Sequence, residues 1–349
     1  MSSFTAIDLF SGIGGVKMGL QQAGFNVTYS NDNDLYCRKT FETNFNHGLD
    51  HRDITLIPSK EIPNHDLLAA GFPCQPFSMA GNQKGFKDPR GVLFFEVARI
   101  IKAKQPKVFL LENVKNLKSH NKGETLKTIL TILEKDLGYN VHYSVLNSKD
   151  FGLPQSRARI YIVGFKDNVE FEFPEKIQIK QPKISDILEK KVDEFYYLSQ
   201  KYYEGLANHK ARHSAKGSGF GFEILNPNGI SHSLVVGNMG RERNLIKDRL
   251  SKNAYSEGMD KAKTKNALGV RKLTIRECAR LQGFPDSFLF PVSRTQTYKQ
   301  LGNTVSIPVI KAVAIQIRKS LDKLKSKNKS LIDNPKLGET ISLRAFVDL

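Results

Sequence analysis

The sequence contains little cysteine and no long hydrophobic segment. Its three cysteines, Cys37, Cys74 and Cys278, are too few and too scattered for a disulfide framework or a tetrahedral zinc site. The most apolar segment, residues 307–317, contains Lys311 and is too short to span a bilayer. Asp8 interrupts the first hydrophobic stretch, so we expect no secretory leader. We therefore expect a soluble, cytoplasmic protein without a metal site or a membrane partner.

Acidic residues are the second deficit. The chain has 53 Lys and Arg against 35 Asp and Glu, which gives a formal net charge of +18. Residues 1–180 contain 23 basic and 19 acidic residues, whereas residues 181–349 contain 30 and 16. A nucleic-acid partner explains this C-terminal excess, because basic side chains that neutralise phosphates release counterions. A basic solvated surface with a lysine-rich tail explains it equally well.

The first half of the chain alternates short apolar strands with amphipathic helices. This alternation predicts an α/β fold with a doubly wound, mostly parallel sheet, and 349 residues suffice for a buried core. Ligands of such sheets bind at the carboxyl ends of the strands, so we expect the chemistry directly after each strand. The predicted strands are 5–9, 26–31, 67–71, 108–112 and 160–165, and the predicted helices are 16–23, 35–44, 93–104 and 124–137.

The pattern changes near residue 181. The residues that follow are rich in Gly, Asn, Ser and His and then in Lys and Arg, with little periodicity, which indicates a smaller and more irregular second domain. A long amphipathic helix over 306–320 is predicted to return to the first domain. The predicted division is 1–180 for the first domain, 181–294 for the second, 295–322 for the returning segment and 323–349 for a polar, basic tail.

A glycine-rich turn follows the first predicted strand. Residues 8–15 read Asp-Leu-Phe-Ser-Gly-Ile-Gly-Gly, and glycines let the backbone approach a ligand and present N–H groups at a helix start. The spacing is not that of a dinucleotide fold, and the turn lacks the lysine of a phosphate loop. Asp32 and Asp34 follow the second strand, where an acid commonly binds ribose hydroxyls. These features favour a nucleoside cofactor without pyrophosphate, S-adenosylmethionine being the obvious candidate; a tight turn before an acidic helix cap is the alternative.

Cys74 is the candidate nucleophile. It follows the third predicted strand and lies between Pro73 and Pro76, which fix the backbone and hold the thiol where a ligand would bind. A lone cysteine is more often a small buried hydrophobic residue, but the turn after a strand favours the catalytic interpretation. Residues 79–90 contain glycines and charges without a strand or helix pattern, as is typical of a mobile lid.

Three ionisable residues are predicted to lie beside this cysteine. Glu112 ends the next apolar strand, so partial burial should favour its protonated form. Arg157 and Arg159 precede another strand and, being two residues apart, point to one face of an extended segment. The alternatives are a surface acid at a strand exit and a solvated strand edge.

Together, these motifs resemble the cytosine-C5 DNA methyltransferases, and most closely the small bacterial restriction–modification enzymes. Each block is short, but all of them occur in the family's order and cover nearly the whole chain outside 181–270 and the tail. The matching blocks are 8–15, 30–34, 53–54, 71–78, 112–114, 155–159, 271–280, 283–285 and 298–305.

The resemblance implies a mechanism on a cytosine flipped out of the duplex. The Cys74 thiolate adds to C6, and protonated Glu112 hydrogen-bonds N3 and the exocyclic amine. Arg159 holds O2, while Arg157 supports the thiolate or a nearby phosphate. The residues implied to bind S-adenosylmethionine are Phe10, Gly12, Ile13 and Gly15 at the methionine end, Asp32 at the ribose, Asn33, Asp53 and Ile54 at the adenine, and Pro73, Asn303 and Thr304, which close the site.

The resemblance also implies double-stranded DNA as the partner of the second domain. Arg241 and Arg243 are candidates to read guanine edges, and contact with phosphates alone is the alternative. We expect a monomer that works with a cognate restriction endonuclease. Two rival functions stay open, a transfer-RNA cytosine methyltransferase and a catalytically silent DNA-binding homologue. The candidate DNA-contacting residues are Ser78, Arg90, Lys216, Phe220, Arg241 and Arg243.

Overall fold

The computed structural model describes residues 3–72, 92–217, 221–236, 242–248 and 264–333. Several residues singled out in the sequence lie outside these ranges, and their predicted roles stay predictions. They are Pro73, Cys74, Ser78, Arg90, Phe220 and Arg241, together with the lid predicted over 79–90.

A six-stranded sheet forms the centre of the molecule, in the order β2-β1-β3-β4-β7-β5. The first four of these strands are parallel, and β7 runs antiparallel between β4 and β5. The α/β fold with a mostly parallel sheet is therefore confirmed. The strands are β1 (Thr5–Leu9), β2 (Asn26–Asn31), β3 (Leu67–Ala70), β4 (Val108–Val114), β5 (Asn140–Asn147), β6 (Gln155–Ser156) and β7 (Ala158–Phe165).

The central strands are apolar throughout because both faces of the sheet are covered. In β3, Leu67 and Ala69 point into one core cluster, and Leu68 and Ala70 point into the other. The strand β5 was not predicted, because most of its side chains are only partly buried and its sequence is correspondingly polar.

Eight α-helices lie in the described residues, and those that flank the sheet pack on both of its faces. The helices are α1 (Gly15–Gln22), α2 (Leu35–Asn44), α3 (Val92–Lys104), α4 (Glu124–Thr131), α5 (Gln200–Ala215), α6 (Ile275–Gln282), α7 (Arg294–Asn303) and α8 (Ile307–Asp333). The helix predicted over 124–137 ends in a π-helical turn, Ile132–Asp136, in which the Leu137 N–H donates to the Ile132 carbonyl.

The C-terminal helix α8 packs against α1, on the same face of the sheet. A Cβ atom at Gly19 of α1 would lie 2.6 Å from Cβ of Ile310 in α8, so only glycine permits this approach. The two helices share one core cluster, which contains Leu20 and Ile310. The helix predicted over 306–320 is thus observed within α8, and it returns to the first part of the chain.

After residue 181, the strands found in the described ranges are short. β8 (Ser231–His232) pairs with β6, and β9 (Leu245–Lys247) pairs with β10 (Val270–Lys272). A third core cluster holds Leu273, Leu281 and Phe284 of this region together with Ile13 from the turn after β1. The irregular region is therefore packed directly against the glycine-rich turn.

Candidate functional site

A cavity of about 510 Å³ lies at the carboxyl ends of the parallel strands. Its lining joins two groups of predicted site residues. One group, called the cofactor half below, comprises Phe10, Gly12, Ile13, Asp32, Asn33, Asp53, Ile54, Asn303 and Thr304. The other, called the catalytic half, comprises Glu112, Arg157 and Arg159, beside Gly71 at the end of β3. Residues that are far apart in the sequence therefore border one space.

The turn after β1 shapes the cofactor half. Phe10, Gly12 and Gly14 all have positive φ angles, of 57°, 54° and 87°, so the backbone folds back tightly before α1 begins. A Cβ atom at Gly14 would lie 2.3 Å from the Phe45 ring, whereas one at Gly12 would meet no atom within 4 Å. Gly12 thus faces open space, as a ligand-binding turn requires.

Asp32 closes the same half from the end of β2. Its carboxylate accepts hydrogen bonds from the N–H groups of Gly12, at 2.8 Å, and Asp34, at 2.9 Å. Burial raises the pKa of Asp32, and these two N–H groups oppose that rise. Backbone donors therefore fix the carboxylate in one position at the rim of the cavity.

The segment that carries Asp53 and Ile54 is held against β2 by Asn31. The Asn31 side chain donates to the carbonyls of Asp50 and Arg52, both at 2.9 Å. Asp53 accepts from the N–H of Thr55 at 2.9 Å, which caps the short helix that begins at Ile54. This contact fixes the side chain at the cavity wall.

Gly15 differs from the other predicted cofactor residues, since it is buried at the start of α1 and does not line the cavity. A Cβ atom there would lie 2.5 Å from the Thr304 hydroxyl. The absence of a side chain at Gly15 therefore lets the link between α7 and α8 approach the glycine-rich turn, which brings Asn303 and Thr304 to the cavity.

Glu112 lies near the end of β4, at the centre of the catalytic half. Its side chain is 13% exposed, and Nε of Arg159 lies 3.3 Å from its Oε1 atom. Burial raises the pKa of Glu112, while Arg159 and Arg157 lower it. The direction agrees with the sequence prediction, because desolvation is the largest of these effects.

The two arginines reach this edge from the start of a strand. Because β7 is antiparallel to β4, the amino end of β7 lies where the parallel strands end, and Arg159 pairs with Val114 across the two strands. Strand direction thus explains why these cations lie at the amino end of their strand, whereas Glu112 lies near the carboxyl end of its own.

Arg157 is the more deeply buried of the two cations. Its guanidinium donates to the carbonyls of Leu234, Gly302 and Thr304 and to the Ser233 hydroxyl, at 2.6–3.2 Å. Burial lowers the pKa of Arg157 to about 9, so the group is still cationic at neutral pH. Four of its contacts are therefore with protein acceptors from distant segments.

Two polar residues of α7 also line the cavity and were not singled out from the sequence. Lys299 forms an ion pair with Asp34 at 3.0 Å, and the Gln300 side-chain nitrogen is buried without a hydrogen-bond partner among the described residues. Both belong to the block 298–305, which was their only sequence signal. Two predicted DNA contacts, Lys216 and Arg243, are exposed and lie outside this lining.

The arrangement combines a buried carboxyl group whose pKa is raised, two guanidinium groups and a carboxylate fixed by backbone donors around one cavity. Within the described ranges, no group of His, Cys, Asp and Glu side chains is placed to hold a metal ion. No helix of this part of the chain is long and apolar enough to cross a membrane. The carboxyl and guanidinium groups that line the cavity are suited to bind polar organic groups.

Comparison with known proteins supplies the family. Residues 4–319 match the model of the C-5 cytosine-specific DNA methylases. The type II methyltransferase M.HpaII of Haemophilus parainfluenzae is 49% identical over 92% of this chain and 91% of its own length. M.HhaI of Haemophilus parahaemolyticus is 38% identical over 90% and 94%.

Solved structures show the same fold. The S. pombe Dnmt2 methyltransferase superposes with a TM-score of 0.70 at 24% identity, over 92% of this chain and 99% of that one. The chain belongs to the C-5 cytosine-specific DNA methylase family and is a DNA cytosine-5 methyltransferase, as its motifs predict.

Proposed function

We propose that this enzyme transfers a methyl group from S-adenosylmethionine to C5 of a cytosine flipped out of a specific duplex sequence, as the modification enzyme of a type II restriction–modification system. The single observation that carries the proposal is the continuous cavity that joins the cofactor half to the catalytic half. The relatives named type II methyltransferases support its assignment to such a system.

The cofactor half fits S-adenosylmethionine through its donors and acceptors. The Asp32 carboxylate accepts from two N–H groups and has lone pairs left for ribose hydroxyls. The open backbone at Gly12 suits a close approach of the methionine end, with Phe10 and Ile13 beside it. Asn33, Asp53 and Ile54 would border the adenine, and Pro73, Asn303 and Thr304 would close the site. When bound, the cofactor supplies an electrophilic methyl group on a sulfonium.

The catalytic half would activate the cytosine, which is a poor nucleophile at C5. The Cys74 thiolate adds to C6, and the ring electrons displaced by that addition make C5 nucleophilic. Glu112 in its protonated form donates to N3 and accepts from the exocyclic amine, which stabilises the negative charge of the adduct. Arg159 donates to O2. After C5 has gained the methyl group, a base takes the C5 proton, the electrons of the C5–H bond form the C5–C6 double bond, and the C6–S bond breaks to release the Cys74 thiolate.

The second domain would hold the DNA. We propose the division predicted from the sequence, with 1–180 and 295–322 for catalysis and 181–294 for target recognition. Flipping costs a few kcal/mol, roughly, which phosphate contacts of the basic region must offset. The exposed cations Lys216 and Arg243 suit that task. We further propose a monomer that acts in the bacterial cytoplasm beside a cognate endonuclease.

A labelling experiment tests this proposal. The full chain is incubated with tritiated S-adenosylmethionine and either unmodified duplex DNA or transfer RNA. We expect label in DNA only, and bisulfite sequencing of that DNA should locate the methylated cytosines at one short sequence. Label in transfer RNA alone, or in neither nucleic acid, would contradict the proposal. The Cys74→Ala variant is the control and should leave both substrates unlabelled.

A further inference from the structure

Two side chains, one in β6 and one in the link from β6 to β7, hold the irregular region against the cavity. Gln155 and Arg157 are two residues apart in an extended segment, so they share one face. Both are buried, and both reach the segment 231–236, which begins with β8. Only Arg157 also lines the cavity.

Gln155 binds the irregular region through both atoms of its amide. Its Oε1 accepts from the Leu234 N–H at 2.8 Å. Its Nε2 donates to the Leu281 carbonyl at 2.8 Å and to the Gln282 side chain at 3.2 Å. Gln282 in turn donates to the Leu301 carbonyl at 2.8 Å, which extends the network to α7.

Arg157 binds the same residue, Leu234, through its carbonyl group. It donates to the Leu234 carbonyl at 2.6 Å, so Leu234 is held at both its N–H and its C=O. The other end of the guanidinium donates to the carbonyls of Gly302, at 3.1 Å, and Thr304, at 2.7 Å. One buried cation therefore joins the segment 231–236 to the loop that carries Asn303 and Thr304.

These two segments also touch directly. A Cβ atom at Gly302 would lie 2.9 Å from the Val235 backbone, so the two segments are in close contact and only glycine permits this approach. Val235 and Val236 are 45% and 47% exposed, and they precede the predicted DNA contact Arg241 by six and five residues. The Arg157 guanidinium and this close contact therefore link the loop of Asn303 and Thr304 to the segment that carries Val235 and Val236.

We propose that Gln155 and Arg157 are positioning residues that couple cofactor binding to DNA binding. The proposal rests on the proposed function, because it needs S-adenosylmethionine at Thr304 and DNA at the segment 231–236. Thermodynamic linkage makes such coupling reciprocal, so DNA should raise cofactor affinity by the same factor as the cofactor raises DNA affinity. A purely structural role for the two side chains would lower stability and leave this factor unchanged.

The test is a binding cycle on the full chain by calorimetry. The probes are S-adenosylhomocysteine, which cannot react, and a short duplex that carries the site located by bisulfite sequencing. We expect the duplex to tighten binding of S-adenosylhomocysteine to the wild-type protein by about 5- to 150-fold, which is the usual range of allosteric coupling. In Gln155→Met and in Arg157→Lys, the ratio of the S-adenosylhomocysteine affinities with and without duplex should fall towards one.

Tyr139→Phe is the matched control. It removes a buried hydrogen bond, from the Tyr139 hydroxyl to the Pro106 carbonyl at 2.7 Å, in the core on the other face of the sheet. This variant should lose stability in thermal unfolding and keep the wild-type coupling ratio. A wild-type ratio in Gln155→Met and Arg157→Lys would overturn the proposal.

A second measurement needs no variant. The Leu234 N–H donates to Gln155, so its hydrogen exchange reports directly on this contact. We expect S-adenosylhomocysteine alone to slow exchange at 231–236 in the wild-type chain. Binding without any such change would overturn the coupling and leave the proposed function intact, whereas a chain that binds no S-adenosylhomocysteine would contradict both.

Discussion

The two halves of the cavity hold their charged groups by different means. In the cofactor half, Asp32 is fixed by N–H groups of its own and a neighbouring turn. In the catalytic half, Glu112 is fixed by no backbone donor among the described residues and instead faces the cations Arg159 and Arg157. Burial raises the pKa of both carboxyl groups; backbone N–H groups oppose the rise at Asp32, whereas guanidinium groups oppose it at Glu112. As the proposed function requires, we expect the first arrangement to serve ligand binding and the second to serve the chemistry of the cytosine ring.

The largest expected effect is that of Cys74→Ala, which should abolish methyl transfer without abolishing DNA binding. Cys74→Ala removes the only proposed nucleophile, so methyl transfer should be abolished while duplex binding is largely retained. Filter assays of label transfer and gel-shift titration of the duplex measure the two properties. Near-normal turnover of this variant would contradict the role of Cys74 as the nucleophile.

Glu112→Gln should lower kcat by about 10²–10⁴-fold, because a neutral amide cannot supply a proton to the ring. The Km for S-adenosylmethionine should change little, since Glu112 belongs to the catalytic half. Because burial raises the pKa of Glu112, wild-type activity should also fall as pH rises through that pKa. Steady-state kinetics over a pH series check both points. If Glu112→Gln had a normal kcat and a raised Km for S-adenosylmethionine, Glu112 would belong to cofactor binding, which would contradict the division of the cavity.

Asp32→Asn should have the opposite kinetic signature. An amide nitrogen would face one of the two N–H groups that now donate to the carboxylate, and a charged acceptor for ribose would be lost. We expect the Km for S-adenosylmethionine to rise by about ten- to a hundredfold, with a much smaller change in kcat. Glu42→Gln, which alters an exposed acid of α2, serves as the control. A selective loss of kcat in Asp32→Asn would contradict the division.

The smallest effect concerns stability beneath the cofactor half. Burial raises the pKa of Asp8 to about 7, although the Lys17 N–H donates to it at 3.2 Å. The folded state thus holds the proton more tightly than the unfolded state, so the free energy of unfolding falls as pH rises from about 4 to 7. Asp8→Asn should remove this slope, of at most about 1.4 kcal/mol per pH unit. Urea unfolding at several pH values measures it, and an unchanged slope would contradict the assignment.

The sequence predicted the parts of the molecule whose signals are local. The bounds of β1, β2 and α2 agree with the predictions because apolar periodicity and turn residues mark both ends of each element. Phe10, Asp32, Glu112 and the two arginines were found because each lies at the end or the start of an apolar strand, whereas Asp53, Ile54, Asn303 and Thr304 were found through the family motifs alone. Family motifs then supplied their proposed roles, which strand position alone leaves open.

The remainder depends on contacts between distant segments. The residues of β7 do not indicate that this strand is antiparallel to β4, because the direction of a strand is set by the strands with which it pairs. Likewise, the contacts of Arg157 with Leu234 and Thr304 span 77 and 147 positions of the chain. Its two-residue spacing from Arg159 predicted a shared face and could not reveal that its guanidinium is bound by protein acceptors.

The central claim is that a thiolate on this chain bonds to a cytosine ring. A duplex in which the target cytosine carries fluorine at C5 tests it, because a methylated adduct without a C5 proton cannot release the enzyme. The wild-type chain with S-adenosylmethionine should migrate with the duplex as one covalent species on a denaturing gel, and Cys74→Ala should not. Methylation of the unfluorinated duplex without any trapped wild-type complex would contradict the account.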